Sequence, residues 1–319
     1  MDYDDVKVPV YLVTGFLDAG KTSFLRFTIS QPYFQVEERT LLIVCEEGEE
    51  EYDEQMLKYM YRTDVETVSE QEDFKLSTLR RFRQQYAPSR VIIEYNPLWS
   101  VAKLEQMHLP RGWGIMQEIV VVDASTFSVY MNNMKSLFVE MSRNADMVLF
   151  NRCSKELPLS SFRRSIKVVN PGCDVQFMGD DGRPLDIFED TVPYDLKADP
   201  IEIEDIDYGI FYVDLQDHPD RYIGRTVRFR GKVLKSRDMN AEYFLPARSA
   251  MTCCAEDIQY IGYLCKSPAA KSLKEGSWVE VTATMNMEFV QMSGRSEPVF
   301  TAISVEPAKA PETELVYFN

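Results

Sequence analysis

Apolar positions recur with two different periods along the chain, and the period changes near residue 195. Before that point, short and nearly unbroken apolar runs are separated by stretches with helical spacing. VPVYLVT (8–14), TLLIVC (40–45), RVIIEY (90–95), EIVVVDA (118–124) and DMVLFN (146–151) have the length and continuity of strands covered on both faces. Between them, KTSFLRFTIS (21–30) predicts a helix burying Phe24, Leu25 and Phe27. Residues 69–87 predict a second, with Phe74, Leu79 and Phe82 inward and Ser69 as N-cap. Residues 125–145 predict a third. Strands alternating with helices imply a doubly wound, mostly parallel α/β sheet. KADPIEIEDIDYG (197–209) is acidic and reads as a linker. Beyond it, residues 225–235, 242–247, 259–265, 277–288 and 299–307 alternate as short strands between turn signals, with no long helix. That pattern predicts a small all-β barrel of the OB type. The expected division is therefore 1–195, a linker at 196–207, and 208–319.

Composition narrows the picture. The 319 residues are 45% hydrophobic and 27% charged, as in ordinary globular domains. The acidic start, MDYDDVKVPV, lacks the basic flank and apolar core of a secretion signal. No apolar run approaches the roughly 18 residues needed to cross a bilayer, so the chain is not expected to insert into a membrane. Six cysteines are too few for a disulfide scaffold at this length, which points to a reducing, cytoplasmic setting. Net charge is −16 and uneven: residues 1–207 hold 22 basic against 37 acidic groups, and residues 208–319 hold 13 against 14. The first part should repel nucleic acid.

The segment VTGFLDAGKTSFL (13–25) satisfies G-x-x-x-x-G-K-[ST] at Gly15, Gly20, Lys21 and Thr22. The glycines let backbone N–H groups around Asp18, Ala19 and Gly20 curl about phosphate oxygens, and the helix that follows offers its positive end near Ser23. Lys21 is positioned for the β- and γ-phosphates, and Thr22 offers a hydroxyl to Mg²⁺. Placed between an apolar strand and a helix, this turn predicts a nucleoside triphosphate site, for GTP or ATP.

Residues 9–25 closely resemble the opening of the CobW-type P-loop GTPases, relatives of HypB and UreG. The likeness continues in order for roughly 150 residues. In VCEEGEEEYDEQML, Glu46, Gly48 and Glu49 match that family's Asn-Glu-Phe-Gly-Glu segment, while Cys45 and Glu47 depart. Glu94 matches a Glu-x-x-Gly strand end whose glycine is Pro97 here; Asp123 matches a Val-Asp-Ala strand end. Ala145, Asp146 and Asn151 match Ala-Asp-x-x-x-x-Asn-Lys-x-Asp. The resemblance implies a GTP-binding hydrolase of metallochaperone type. Lys21 and Glu94 would be catalytic, Thr22, Glu46 and Glu94 would serve Mg²⁺, and Asn151 and Arg152 would face the base. A metal-receiving client protein would then be a partner. Glu46, Glu94, Asp123 and Asn151 also follow the carboxyl ends of expected strands, where parallel sheets bind ligands.

Three departures bear on function. Asn151-Arg152-Cys153-Ser154 ends in a hydroxyl where the family's carboxylate recognises guanine, with Glu156 nearby as a substitute. Pro97 has no N–H to offer a γ-phosphate. Slow hydrolysis and a non-hydrolysing adaptor are therefore both open. The family's Cys-x-Cys-Cys motif and histidine-rich stretch are absent, and the only histidines are His108 and His218.

In the second part, DRYIGRTVRFRGKV, RSAMTCCAEDIQYIGYLC and LKEGSWVEVTATM resemble the C-terminal domain of the YcgQ-type proteins. That likeness implies a membrane permease partner. Cys253, Cys254 and Cys265 lie within thirteen residues, and with Asp257 or His218 they are candidates for a Zn²⁺ site. Buried structural cysteines are the competing explanation, as they are for Cys153 and Cys173. Arg228, Arg230 and Lys232 alternate along one strand and, with Arg221, Arg225, Lys235 and Arg237, form a basic stripe. Only Phe229 interleaves, and it should point inward. A solvated face, or one docking on the acidic run 46–54, is expected before nucleic-acid binding.

Overall fold

The computed structural model describes residues 6–46, 48, 50–185, 192–236, 239–251, 258–291, 293–316 and 318. Cys253, Cys254, Glu49, Asp257 and Arg237 lie outside the described residues. The chain divides into two compact units, residues 1–162 with 172–187, and residues 163–171 with 188–319.

In the first unit the described strands are β1 (Val8–Thr14), β2 (Thr40–Val44), β3 (Thr63–Thr67), β4 (Arg90–Glu94), β5 (Trp113–Asp123), β6 (Met147–Cys153) and β7 (Asp174–Gly179). They form one sheet in the order β3-β2-β4-β1-β5-β6-β7, and every neighbouring pair is parallel. β2 and β4 are buried along their whole length, which is why their sequences are apolar without alternation. The helices are α1 (Lys21–Ser30), α2 (Glu54–Tyr61), α3 (Leu76–Tyr86), α4 (Val101–Gln106), α5 (Phe127–Asn133), α6 (Lys135–Ser142) and α7 (Leu159–Val169); the boundary between units runs inside α7.

Several local expectations are corrected. α1 buries Leu25 and Ile29, one turn apart, while Phe27 is exposed. α3 starts at Leu76 after Lys75, so Ser69 is not its cap. Phe74 is buried ahead of the helix, in ring contact with Tyr95 and Trp99. The third helix is two, broken at Met134, and Phe127 and Phe138 from the two pieces meet edge to face at 5.2 Å. β3 escaped notice because TDVET is an edge strand carrying a buried Asp64, paired to Arg39 at 3.2 Å.

The second unit is built around β9 (Thr226–Leu234), β10 (Tyr243–Met251), β12 (Leu264–Lys266), β13 (Trp278–Val290) and β14 (Arg295–Pro307), with β8 (Ile201–Glu202) and β11 (Ile258–Ile261) flanking them. β9 pairs with both β10 and β13, and β10-β12-β14-β13 completes the ring, so five strands close into a barrel. Within the ring only β12 and β14 run parallel. This is the small all-β barrel expected, and its inward positions, Val227, Phe229, Phe244, Val281, Met285 and Phe300, are all buried.

The acidic stretch is more than a linker. Its Ile-Glu-Ile-Glu alternation is itself a strand pattern: β8 pairs with β9 and buries Ile201, with Ile203 just beyond. A helix, α8 (Tyr208–Asp217), follows and buries Tyr208, Phe211 and Leu215. Its apolar residues lie on several faces, so no helical stripe marks it in sequence. The basic stripe is neutralised inside this unit. Arg228 meets Glu202 at 3.0 Å, Arg230 meets Asp205 at 3.1 Å and Lys232 meets Glu314 at 3.7 Å.

Candidate functional site

β1 ends at Thr14 in the middle of the parallel sheet, and the chain turns through residues 15–20 into α1. Gly15 has φ 143°, and a Cβ there would lie 2.1 Å from the Val121 carbonyl oxygen. Gly20, at φ 92°, caps α1 in the left-handed region. Side chains are excluded at both places. Lys21 Nζ donates to the carbonyls of Gly15 (2.7 Å) and Phe16 (3.1 Å), and its side chain is only 4% exposed.

Around the loop, the strand ends supply polar groups. Glu94, at the end of β4, is buried and accepts from Thr22 Oγ1 at 2.9 Å and from the Tyr52 hydroxyl at 2.6 Å. Burial pushes the Glu94 carboxyl above its ordinary range, against the lowering pull of those two hydrogen bonds and of Lys21. Burial also pushes the Tyr52 hydroxyl up, with Glu94 adding to it. Glu46, just past β2, forms an ion pair with Lys21 at 2.6 Å. Ser23 Oγ donates to Glu50 at 2.7 Å.

On the other side, Asn151 at the end of β6 donates to the Ala19 carbonyl at 3.4 Å. Arg152 sits at φ 53° and reaches the Asp18 carbonyl at 2.8 Å and the Asp123 carboxylate at 2.5 Å. Partial burial acts to raise the Asp123 carboxyl, but hydrogen bonds from Ser125 and Arg152 outweigh it and hold the group below its usual range. A cavity of about 200 Å³ opens here, lined by Asp18, Lys21, Thr22, Glu46, Glu94 and Arg152 among others. Thr22 and Glu94 present hard oxygen donors side by side, a set that fits a small divalent cation such as Mg²⁺.

The structure thus gathers Gly15, Asp18, Ala19, Gly20, Lys21, Thr22, Ser23, Glu46, Glu94, Asn151 and Arg152 about one loop. Glu46, expected beside Thr22 and Glu94, is engaged by Lys21. Pro97 lies in a turn at 96–99, stapled by Leu98 N–H to Asn96 Oδ1 at 2.9 Å. Ser154 bonds Glu156, an exposed carboxyl lowered by that contact. Tyr52 and Glu50 were missed by sequence reasoning: an aromatic hydroxyl after an acidic run carries no motif, and only the fold brings it to Glu94. Cys265 sits elsewhere, fully buried in the barrel opposite Phe244 and Phe300, and burial pushes its thiol up to about 12. Among the described residues no three His, Cys, Asp or Glu side chains converge as a metal cluster.

A parallel sheet with this loop at the end of its central strand defines a P-loop nucleotide-binding domain. The chain belongs to the CobW/HypB/UreG, nucleotide-binding domain family, which matches residues 9–176 and whose members are GTPases. Residues 187–318 match the DUF1980 C-terminal domain. Over 117 residues the chain is 24% identical to UPF0703 protein YcgQ of Bacillus subtilis (strain 168), covering 37% of this chain and 41% of that relative's length. Similar solved structures include hydrogenase maturation factor HypB from Archaeoglobus fulgidus, at 15% identity and TM-score 0.41, over 54% of this chain and 82% of that one. A Zn(II)-bound triple mutant of the YjiA GTPase gives 20% identity and TM-score 0.41, over 56% and 59%. Both resemblances read from the sequence, to the CobW type and to YcgQ, are met.

Among the described residues no helix is long and apolar enough to cross a membrane.

Proposed function

We propose that the loop at residues 15–23 binds a purine nucleoside triphosphate, GTP in the first instance, and that the chain hydrolyses it slowly. The observation that carries this reading is the placement of Lys21. Its ammonium is held by two loop carbonyls, and the lysine lines a cavity together with Thr22 and Ser23 of the first turn of α1. That is the position from which a lysine neutralises β- and γ-phosphate oxygens. The backbone donors at the start of α1 face the same space and favour an anion. Thr22 and Glu94 would hold Mg²⁺, which when bound supplies further neutralisation of phosphate charge. Arg152, fixed by Asp18 and Asp123, offers a flat cation on which the base can stack.

Membership of the CobW family supports metal handling as the cellular role, with nucleotide state controlling transfer to a client protein. The YcgQ-like segment supports a permease partner as the alternative recipient of that control. The buried, protonated Cys265 gives zinc delivery no support of its own.

The test is equilibrium binding of GTP and ATP, each with Mg²⁺, to the whole chain and to Lys21→Ala. Losing two charge-assisted contacts to phosphate should weaken binding by about 100-fold. If neither nucleotide saturates the chain, or if Lys21→Ala binds as well, the reading fails. A second reading, an adaptor that binds without hydrolysing, is favoured by Pro97, which lacks the N–H. Single-turnover phosphate release separates the two: the adaptor releases none.

A further inference from the structure

Three consecutive residues at the start of α1 are each engaged by a carboxylate. Lys21 Nζ is 2.6 Å from Glu46, Thr22 donates to Glu94 at 2.9 Å, and Ser23 donates to Glu50 at 2.7 Å. Tyr52 then bonds the second oxygen of Glu94 at 2.6 Å. Glu46, Glu50 and Tyr52 belong to one short stretch between β2 and α2. Glu46 and Glu50 are therefore tied directly to the start of α1, Tyr52 reaches it through Glu94, and a further contact runs from Glu50 to Arg26 at 3.6 Å.

The chemistry of these ties is anion binding. Glu46 places a carboxylate on the lysine that a phosphate oxygen would claim, next to the positive end of a helix. The Lys21–Glu46 pair is well shielded, with side chains 4% and 12% exposed, so solvent screens it little. A triphosphate must displace Glu46 from Lys21, and it meets the like charge of Glu50 at Ser23 as it enters.

We propose that Glu46 and Glu50, with Tyr52, are internal competitors for the triphosphate, a strap whose carboxylates hold the loop until nucleotide expels them. This rests on the reading of the loop as a triphosphate site. Nucleotide affinity is then reduced by the fraction of chains in which the strap is closed. Expulsion also shifts α2, because the strap runs straight into its N-cap, where Asp53 accepts from the Met56 N–H at 2.9 Å.

The experiment compares the full chain with Glu46→Gln and Glu50→Gln, measuring affinity and release rate for GTP with Mg²⁺, after thermal melting has shown that each variant folds. Glu46→Gln should bind about tenfold or more tightly, since a charged contact no longer has to be broken. It should also release nucleotide more slowly. Glu50, half exposed, should give only about a twofold gain. Binding to Glu46→Gln alone, with none to the unsubstituted chain, supports the strap as well. If the unsubstituted chain binds and Glu46→Gln binds equally or more weakly, the strap is refuted while the triphosphate site stands. If no form binds, both fall.

Discussion

Replacing Gly15 by alanine asks whether the loop conformation, rather than the mere presence of Lys21, makes the site. The added Cβ would lie 2.1 Å from the Val121 carbonyl oxygen and 3.1 Å from its carbon. Val121 is fully buried, and its strand is hydrogen-bonded on both sides, to β1 and to β6, so this carbonyl has nowhere to retreat. The backbone at φ 143° adds strain of about 1–3 kcal/mol for a residue with a side chain. Crowding against fixed backbone adds about 1–3 kcal/mol more. A total of roughly 2–6 kcal/mol lowers the melting temperature by about 4–24 °C for a unit of this size. Gly182→Ala serves as the control within the same unit. It also has positive φ, 71°, but nothing lies within 4 Å of its Cβ. It should cost only about 1–2 kcal/mol. Thermal unfolding of both variants, followed by far-ultraviolet circular dichroism, gives the comparison, and GTP binding gives the functional side. The Gly15 carbonyl holds Lys21 at 2.7 Å, so affinity should fall with stability. The reasoning is wrong if Gly15→Ala melts no lower than Gly182→Ala, or if it binds nucleotide undiminished.

Further outcomes follow from the charges and thiols. Asp123 has a folded-state pKa below its unfolded value, so its carboxylate stabilises the fold above about pH 4, and that contribution fades as pH falls through the lower folded value. The melting-temperature gap between the unsubstituted chain and Asp123→Asn should therefore be constant from about pH 7 to 5 and close below about pH 4; a gap that widens in acid would contradict the assignment. Cys265, with its thiol raised to about 12, should resist thiol reagents at neutral pH until the chain is unfolded. Metal analysis of Cys265→Ala should match the unsubstituted chain, and a stoichiometric loss of zinc in that variant would show the thiol to be a ligand after all.

The phosphate loop was legible because its chemistry is local. Gly15, Gly20, Lys21 and Thr22 act through backbone shape and reach over eight residues, and their spacing alone encodes both. The strands that bracket the site were legible for a different reason: burial on both faces leaves an apolar run with no polar interruption, as in β2 and β4. Edge strands and mixed segments were harder. β3 carries Asp64 and two threonines, α8 spreads its apolar residues around the helix, and the acidic 197–209 stretch hid a strand behind its charge.

What sequence determined, then, is the spacing of the phosphate-loop residues and that the α/β part gives way to a barrel. What only the tertiary structure decided is who meets whom. Lys21 could have faced an open loop; folding sets Glu46 against it at 2.6 Å. Tyr52 could have been a surface aromatic; it closes on Glu94 from 42 residues away. The basic stripe could have been a solvated face; three of its cations found Glu202, Asp205 and Glu314 within their own unit. Ion pairs and hydrogen bonds act over a few ångströms, and composition says which charges exist but not which of them the chain's path brings within that range.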